Sequence, residues 1–305
     1  MSHWKVWLDN ESTPLEDPHS RRFNLVRCLP FIMLHVSVIA VFWVPASAFA
    51  LAIAAVLYVV RAFALTAFYH RYFAHKAFRT HRWVQFVFAF IGASAAQRGP
   101  LWWSGHHRQH HAHTDKEGDL HSPKDGFWWS HMLWFTCNAS FATPYKQIPE
   151  FSRFPELRWL NRFDWVAPLS LIATLFLVGE LCAAYLPSLN TDGAQLVVWG
   201  FVVSTLALLH ATLGVNSLCH RFGSRRYDTD DMSRNNWVVA LLTLGEGWHN
   251  NHHKYPKSAR NGFYWWELDP TFWGLKIMER LGLVWQLAPV PKQAYQTVGD
   301  PQSEP

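Results

Sequence analysis

Three stretches of this 305-residue chain could do metal chemistry: His70-Arg71-Tyr72-Phe73-Ala74-His75, His107-Arg108-Gln109-His110-His111 and His249-Asn250-Asn251-His252-His253. On a helix turning about 100° per residue, positions i, i+3 and i+4 point within about 100° of one another. Each HxxHH run is therefore expected to aim three imidazoles at one place. The HxxxxH pair differs, because five residues put the rings about 140° apart on such a helix. His70 is expected to end a helix and His75 to reach back from a bend. Asn216 and His220 form a fourth element at i, i+4. Nine imidazoles are more than one ion uses, so two metals are implied. Imidazole suits zinc, copper, iron and nickel alike, and only function chooses between them.

Lone histidines are read as surface or hydrogen-bonded residues, and His3, His19, His35, His81, His121 and His131 fall in that class. His106, His113 and His210 lie beside the pattern but out of phase or inside an apolar run, and are left to supporting roles. Asp115, Glu117, Asp119 and Glu246 lie close to the boxes and are candidates to orient ligand imidazoles, with Asp115 and Glu246 favoured. The four cysteines show no CxxC pair, so neither a disulfide framework nor a zinc ribbon is indicated.

The elements that must position these groups are apolar. Half the chain is hydrophobic and 16% is charged, which excludes a disordered chain. The 33 residues between Arg27 and Arg61 carry no Lys, Arg, Asp or Glu, enough for two short membrane spans broken at Pro45. Spans are expected at about 28–44, 47–69, 165–186 and 195–216, with Arg61 near an interface where its stem can snorkel. Of the 27 Lys and Arg residues, 4 precede the first span, 12 lie in 70–164 and 10 follow 220. The short connections within each pair of spans carry none, so both termini and the central segment are expected on the cytoplasmic side. The runs Trp83–Gln97 and Trp237–Gly245 are too short to span and are expected as helices at the interface or under a cap. The first 27 residues lack the pattern of a signal peptide, and 291–305 reads as a flexible tail. The fold class is thus all-α integral membrane: four spans in two hairpins, with a cytoplasmic helical cap holding a dinuclear metal site, in a domain over 28–290.

A histidine-rich dinuclear site at the mouth of an aromatic-rich bundle is placed to bring O₂ to a lipid-like substrate, which calls for iron. The boxes resemble those of the membrane-bound acyl-CoA desaturases of the stearoyl-CoA Δ9 type, over residues 45 to 285. The likeness includes Trp102-Trp103, Thr114-Asp115, the run Asn216-Ser217-Leu218-Cys219-His220-Arg221-Phe222-Gly223, Ser233-Arg234-Asn235, Gly245-Glu246-Gly247-Trp248 and Tyr255-Pro256. It implies metal ligands His70, His75, His107, His110, His111, His220, His249, His252 and His253, with Asn216 acting through a water. It implies two Fe ions cycling between Fe²⁺ and Fe³⁺, O₂ as co-substrate, and a cis double bond, at position 9, in a long-chain acyl-CoA or another carried acyl chain. No cytochrome b5 segment with HPGG and no GxGxxG after a strand-like run is present. Electrons are therefore expected from a separate donor such as cytochrome b5, ferredoxin or a reductase. The expected setting is a lipid bilayer, a bacterial cytoplasmic membrane, with no nucleic-acid partner. The rival within enzymes is a histidine-box fatty acid or alkane hydroxylase. Phe127-Trp128-Trp129 and Phe263-Tyr264-Trp265-Trp266 are candidates for tunnel walls, with an interfacial belt the favoured role. Arg225, Arg226, Lys254 and Lys257 are candidates to attract an anionic carrier.

Overall fold

The computed structural model describes residues 5–12 and 20–295. His3, His19 and the tail beyond 295 lie outside them. Among the described residues, four helices are long and apolar enough to cross a membrane: Leu25–Phe42, Ala48–Ala74, Val166–Tyr185 and Gly193–Cys219. Ser47 caps the second span, its hydroxyl accepting from the Ala50 N–H at 2.9 Å. Asp192 and Gln195 form a reciprocal capping box that starts the fourth. The two short connections also bond to each other: the Ser47 and Thr191 hydroxyls lie 2.5 Å apart, and the Gln195 amide donates to the Pro45 carbonyl at 2.9 Å.

Helices of spanning length stand near the four expected positions, with one consequential difference. The second continues five residues past the expected end at 69, because from Ala64 to Ala74 it winds as a π-helix. Arg61 consequently sits well inside the span rather than near its end. It does not snorkel: it is 1% exposed and donates to the Thr205 and Ser204 hydroxyls, both at 2.7 Å, and to the Leu57 carbonyl at 3.1 Å. Hydroxyls on the fourth span replace the water that the sequence reading assigned to it.

Two apolar clusters build the interior. One joins Ala50, Leu175, Leu196, Phe201 and Leu209 between the spans, and the other gathers Phe68, Tyr69, Phe73, Leu101, Leu157 and Leu160 beneath the histidines. The apolar run 83–97 forms the helix Arg82–Ala93, which buries Val84, Ala89 and Ala93. The run 237–245 forms Trp237–Leu242, which buries Val239 and Ala240 and leaves Trp237, Leu241 and Leu242 exposed. The described residues are mostly helical, with a short strand pair added: Arg79–Thr80 pairs antiparallel with Val284–Trp285, Arg79 opposite Trp285. The start of the expected loose tail is docked, since Lys292–Tyr295 forms a turn and the Tyr227 hydroxyl donates to the Ala294 carbonyl at 2.5 Å. The first span begins at Leu25, and before it Trp165 donates its indole N–H to the Leu8 carbonyl at 2.7 Å, tying part of the N-terminal segment to the body. All four cysteines are free and buried.

Candidate metal centre

The π-winding explains the first box. In a π-turn the bond runs from i+5 to i, and the His75 N–H donates to the His70 carbonyl at 3.1 Å. The wider turn brings i and i+5 onto one side, leaving the two rings 4.9 Å apart between centroids. The helix expected to end at His70 therefore winds on to Ala74 with a different pitch, and His75 caps it.

The second box rides on the helix Pro100–His113, with Pro100 in its first turn. The third rides on the short helix His249–Lys254, whose start is held by Asn235. The Asn235 side-chain oxygen accepts from the N–H groups of Asn250 and Asn251 at 3.0 and 3.1 Å, and its amide donates to the Asn251 side-chain oxygen at 2.7 Å. The Asn250 side chain in turn accepts from the N–H groups of Arg226 and Tyr227 at 2.8 and 2.7 Å. Gly247 lets this box approach the neighbouring helix: a Cβ there would lie 2.1 Å from the Ala240 nitrogen. His220 caps the end of the fourth span.

All nine predicted imidazoles converge, but neither HxxHH box serves a single point. His70, His75, His107, His111 and His252 hold ring nitrogens within 4.8 Å of one another, and so do His110, His220 and His253. The His249 Nε2 joins the second group, 3.1 Å from that of His220 and 3.0 Å from that of His253. In each box the i and i+4 rings, about 40° apart on a helix, stay together while i+3 goes to the other group. The second box gives His107 and His111 to one group and His110 to the other; the third gives His249 and His253 to the second and His252 to the first. The two boxes thus interlock, and the expectation of three rings aimed at one place is corrected.

The spacing within each group is that of ligands round an ion. Nitrogens about 2.1 Å from a metal and at right angles lie about 3.0 Å apart. Here His70 and His252 have Nε2 atoms 3.0 Å apart, His75 and His107 2.9 Å, and His111 and His252 3.1 Å. The buried His110 Nε2 has no hydrogen-bond partner among the described residues.

Four carboxylates hold the outward nitrogens. The Nδ1 atoms of His70, His110, His220 and His253 face Glu246 at 2.5 Å, Asp119 at 3.0 Å, Asp115 at 3.0 Å and Asp231 at 2.8 Å. An Nδ1–H bonded to a carboxylate leaves Nε2 as the lone-pair donor. Glu246 is shared: it also accepts from the fully buried Arg71 guanidinium at 2.9 Å and from the Asn261 amide at 2.9 Å, and Arg71 is paired with Asp269 on its other edge. Glu117 is exposed and takes no part. Asp231 was not anticipated, because it sits in the acidic run Asp228–Asp231, which reads as a solvated loop.

Burial, then the neighbouring imidazoles, hold His75, His107, His111, His249 and His252 far below the usual histidine pKa. His253 is lowered to about 4 by burial, which outweighs the Asp231 carboxylate. These rings are neutral at pH 7, the form a metal needs. Burial opposes ionisation of Asp115, Asp119, Asp231 and Glu246, but their histidine and other hydrogen-bond partners lower all four.

Asn216 donates its amide to the His121 carbonyl at 2.7 Å, and its buried side-chain oxygen has no hydrogen-bond partner among the described residues. His121 is no surface residue: its ring stacks on His110, 4.3 Å between centroids. His106 is fixed by the Ala142 carbonyl at 3.1 Å. Arg226 pairs with the buried Glu267 and Lys254 donates to the Asp228 carbonyl at 2.9 Å, so both have structural work besides any ligand.

A cavity of about 550 Å³ runs from His70, His107, His110 and His249 into the spans, where Phe31, Ile172, Phe201 and Leu209 line it. Trp102, Trp103 and Trp134 are among its aromatic lining residues. The two aromatic runs singled out in the sequence do not line it, and Trp128, Trp265 and Trp266 are exposed.

Comparison with known proteins agrees with this chemistry. The sequence profile of the family described as "Fatty acid desaturase" matches residues 41–278. The chain is 39% identical to an sn-2 palmitoyl-lipid 9-desaturase of Nostoc sp. (strain 36) over 230 residues, 74% of this chain and 76% of that protein. It is 35% identical to an sn-1 stearoyl-lipid 9-desaturase of Anabaena variabilis over 86% of this chain and 93% of that one. It is 38% identical to an acyl-CoA 5-desaturase of Anemone leveillei over 72% and 66% of the two chains. On the extent of these matches, the chain belongs to the fatty acid desaturase family.

Proposed function

We propose that the chain introduces a cis double bond at position 9 of a saturated acyl chain, with a di-iron centre, O₂ and electrons from a separate donor protein. The carrier is a membrane lipid or coenzyme A: relatives with each are named above. Overall, the acyl chain, O₂, two electrons and two protons give the unsaturated chain and two waters.

The observation that carries this reading is the meeting of an apolar cavity with nine converging imidazoles. Iron held there would supply the redox chemistry with O₂ that an unactivated methylene requires. We assign His70, His75, His107, His111 and His252 to one ion, and His110, His220, His249 and His253 to the other, with the free Asn216 oxygen turned to a water on the second. The protein's part is orientation: Glu246, Asp119, Asp115 and Asp231 fix four rings, and Arg71 fixes Glu246. Trp102, Trp103 and Trp134 exclude water from the site, and the cavity shape selects the carbon, since methylenes offer no other handle. Both termini and the histidine end of the bundle are taken as cytoplasmic, where the Lys and Arg residues lie.

The test is the acyl profile of a desaturase-deficient host expressing the chain with a donor, with double bonds located by mass spectrometry. A new 9-monoene, absent with His111→Ala, supports the reading. A chain that gains oxygen instead of losing two hydrogens would replace it with hydroxylation.

A further inference from the structure

The first span is the least embedded of the four: 6% of its apolar window is buried, against 22–56% in the others. Yet one face of it, with Cys28, Pro30, Phe31 and Leu34, walls the cavity, while Met33, Val36 and Ile39 are exposed on the outside. It is therefore a single helix between the cavity and the bilayer. It is also weakened twice. Pro30 lacks the N–H that would bond to the Val26 carbonyl, which accepts from the Trp7 indole at 2.6 Å instead. After Ser37 the winding tightens to a 3₁₀ turn over Val38–Phe42.

Between these two points a chain of histidines outside the metal centre ties the helix to the bundle. The His35 Nδ1 faces the Phe31 carbonyl at 2.9 Å, and its Nε2 lies 3.2 Å from the His210 Nε2 on the fourth span. The His210 Nδ1 lies 3.0 Å from the His131 Nε2, and the His131 Nδ1 lies 2.8 Å from the Ser217 hydroxyl, which reaches the Leu213 carbonyl at 3.1 Å. The rings run in line instead of converging, so this is no metal site. Five contacts each need one hydrogen, and three neutral imidazoles and a hydroxyl supply four. One bond is always missing in the neutral chain, which makes it a connection that can open.

We propose that the first span is a lateral gate through which an acyl chain still esterified to a bilayer lipid enters the cavity, and that His35, His210 and His131 are its latch. This rests on the desaturase reading and deepens it by naming the substrate class. The apolar outer face of the gate opens to lipid, so a bilayer lipid can slide its chain in while its headgroup stays at the surface.

The test uses the full-length, iron-loaded protein with its electron donor in vesicles of saturated phosphatidylcholine, and separately with soluble saturated acyl-CoA. A His35→Cys, His210→Cys variant is cross-linked by a short, cleavable thiol reagent. Cross-linking should abolish desaturation of the phosphatidylcholine chains, spare acyl-CoA, and be reversed on cleavage. In the His35→Leu, His210→Leu variant, amide exchange over 25–42 should speed up and the lipid-to-CoA rate ratio should rise. Unchanged lipid desaturation in the cross-linked protein, or unchanged exchange in the leucine variant, overturns the gate. An unmodified protein that desaturates acyl-CoA but never the lipid overturns it too. One that desaturates neither overturns the functional reading itself.

Discussion

Replacing Asp231 by Asn changes one atom of a side chain that touches no substrate cavity, yet it should weaken the second ion. Asp231 accepts from the His253 Nδ1–H at 2.8 Å and from the Ser233 N–H and Thr229 hydroxyl, both at 2.9 Å. Asparagine can keep the latter two on its oxygen, but then its NH₂ faces the Nδ1–H, donor against donor. A hydrogen bond to a charged group contributes about 1.5–3 kcal/mol. Loss of an outer partner of a metal histidine costs about 10–100-fold in affinity, or about 1.4–2.8 kcal/mol, the same range. The assay is anaerobic titration of chelator-stripped protein with ferrous iron, reading two binding steps. One step should weaken by this factor and the other stay put, because His253 belongs to one group only. Asp230→Asn is the control: the Asp230 side chain is 96% exposed and meets Lys116 only at 3.9 Å. Equal affinities for Asp231→Asn and the parent, or equal weakening of both steps, would refute the assignment of Asp231 to one ion.

Glu246→Ala should destabilise the fold by about 3–5 kcal/mol in detergent unfolding, since it leaves a buried guanidinium with one of its two carboxylates; Glu246→Gln should cost less. Asn235→Ala removes the oxygen that caps the third-box helix and should cost at least about 1 kcal/mol, seen in the same assay. Acidification should weaken the metal-free protein. His75, His107, His111, His249 and His252 have pKa values pushed below the ordinary 6.5 by burial, so the unfolded chain binds their protons first. Stability is then full above 6.5 and falls as pH drops below it, each such ring adding up to about 1.4 kcal/mol per pH unit. Iron loading should suppress that slope at mildly acidic pH, and a flat profile between pH 7 and 5 in stripped protein would contradict the neutral-imidazole account.

What could be read from the sequence was what local spacing dictates. The HxxHH boxes lie on helices because i, i+3 and i+4 share a helical side, and the four spans follow from uncharged length. The division of each box between two groups could not be read, because it depends on how two helices far apart in the chain interlock. The π-turn at 64–74 leaves no compositional mark, so the HxxxxH pair was assigned a bend. Arg61 was misplaced for a related reason: its partners Ser204 and Thr205 are remote in sequence, and an intramembrane Arg without visible partners reads as an interfacial one. Asp231 emerges only when the loop after residue 220 folds back onto His253, whereas Asp119 was already a candidate from its place beside the second box and the turn at 115–122 assigns it to His110. His35 and His131 read as lone histidines, and His210 as a supporting residue inside an apolar run, because each is one link contributed by a different element.

The central claim is that nine imidazoles hold two ions in separate groups. The most direct measurement is metal analysis of the active, purified protein combined with anomalous X-ray scattering at the iron edge. We predict two irons per chain, one among His70, His75, His107, His111 and His252, the other among His110, His220, His249 and His253. One iron per chain at full desaturase activity, or a single position between the groups, would contradict it.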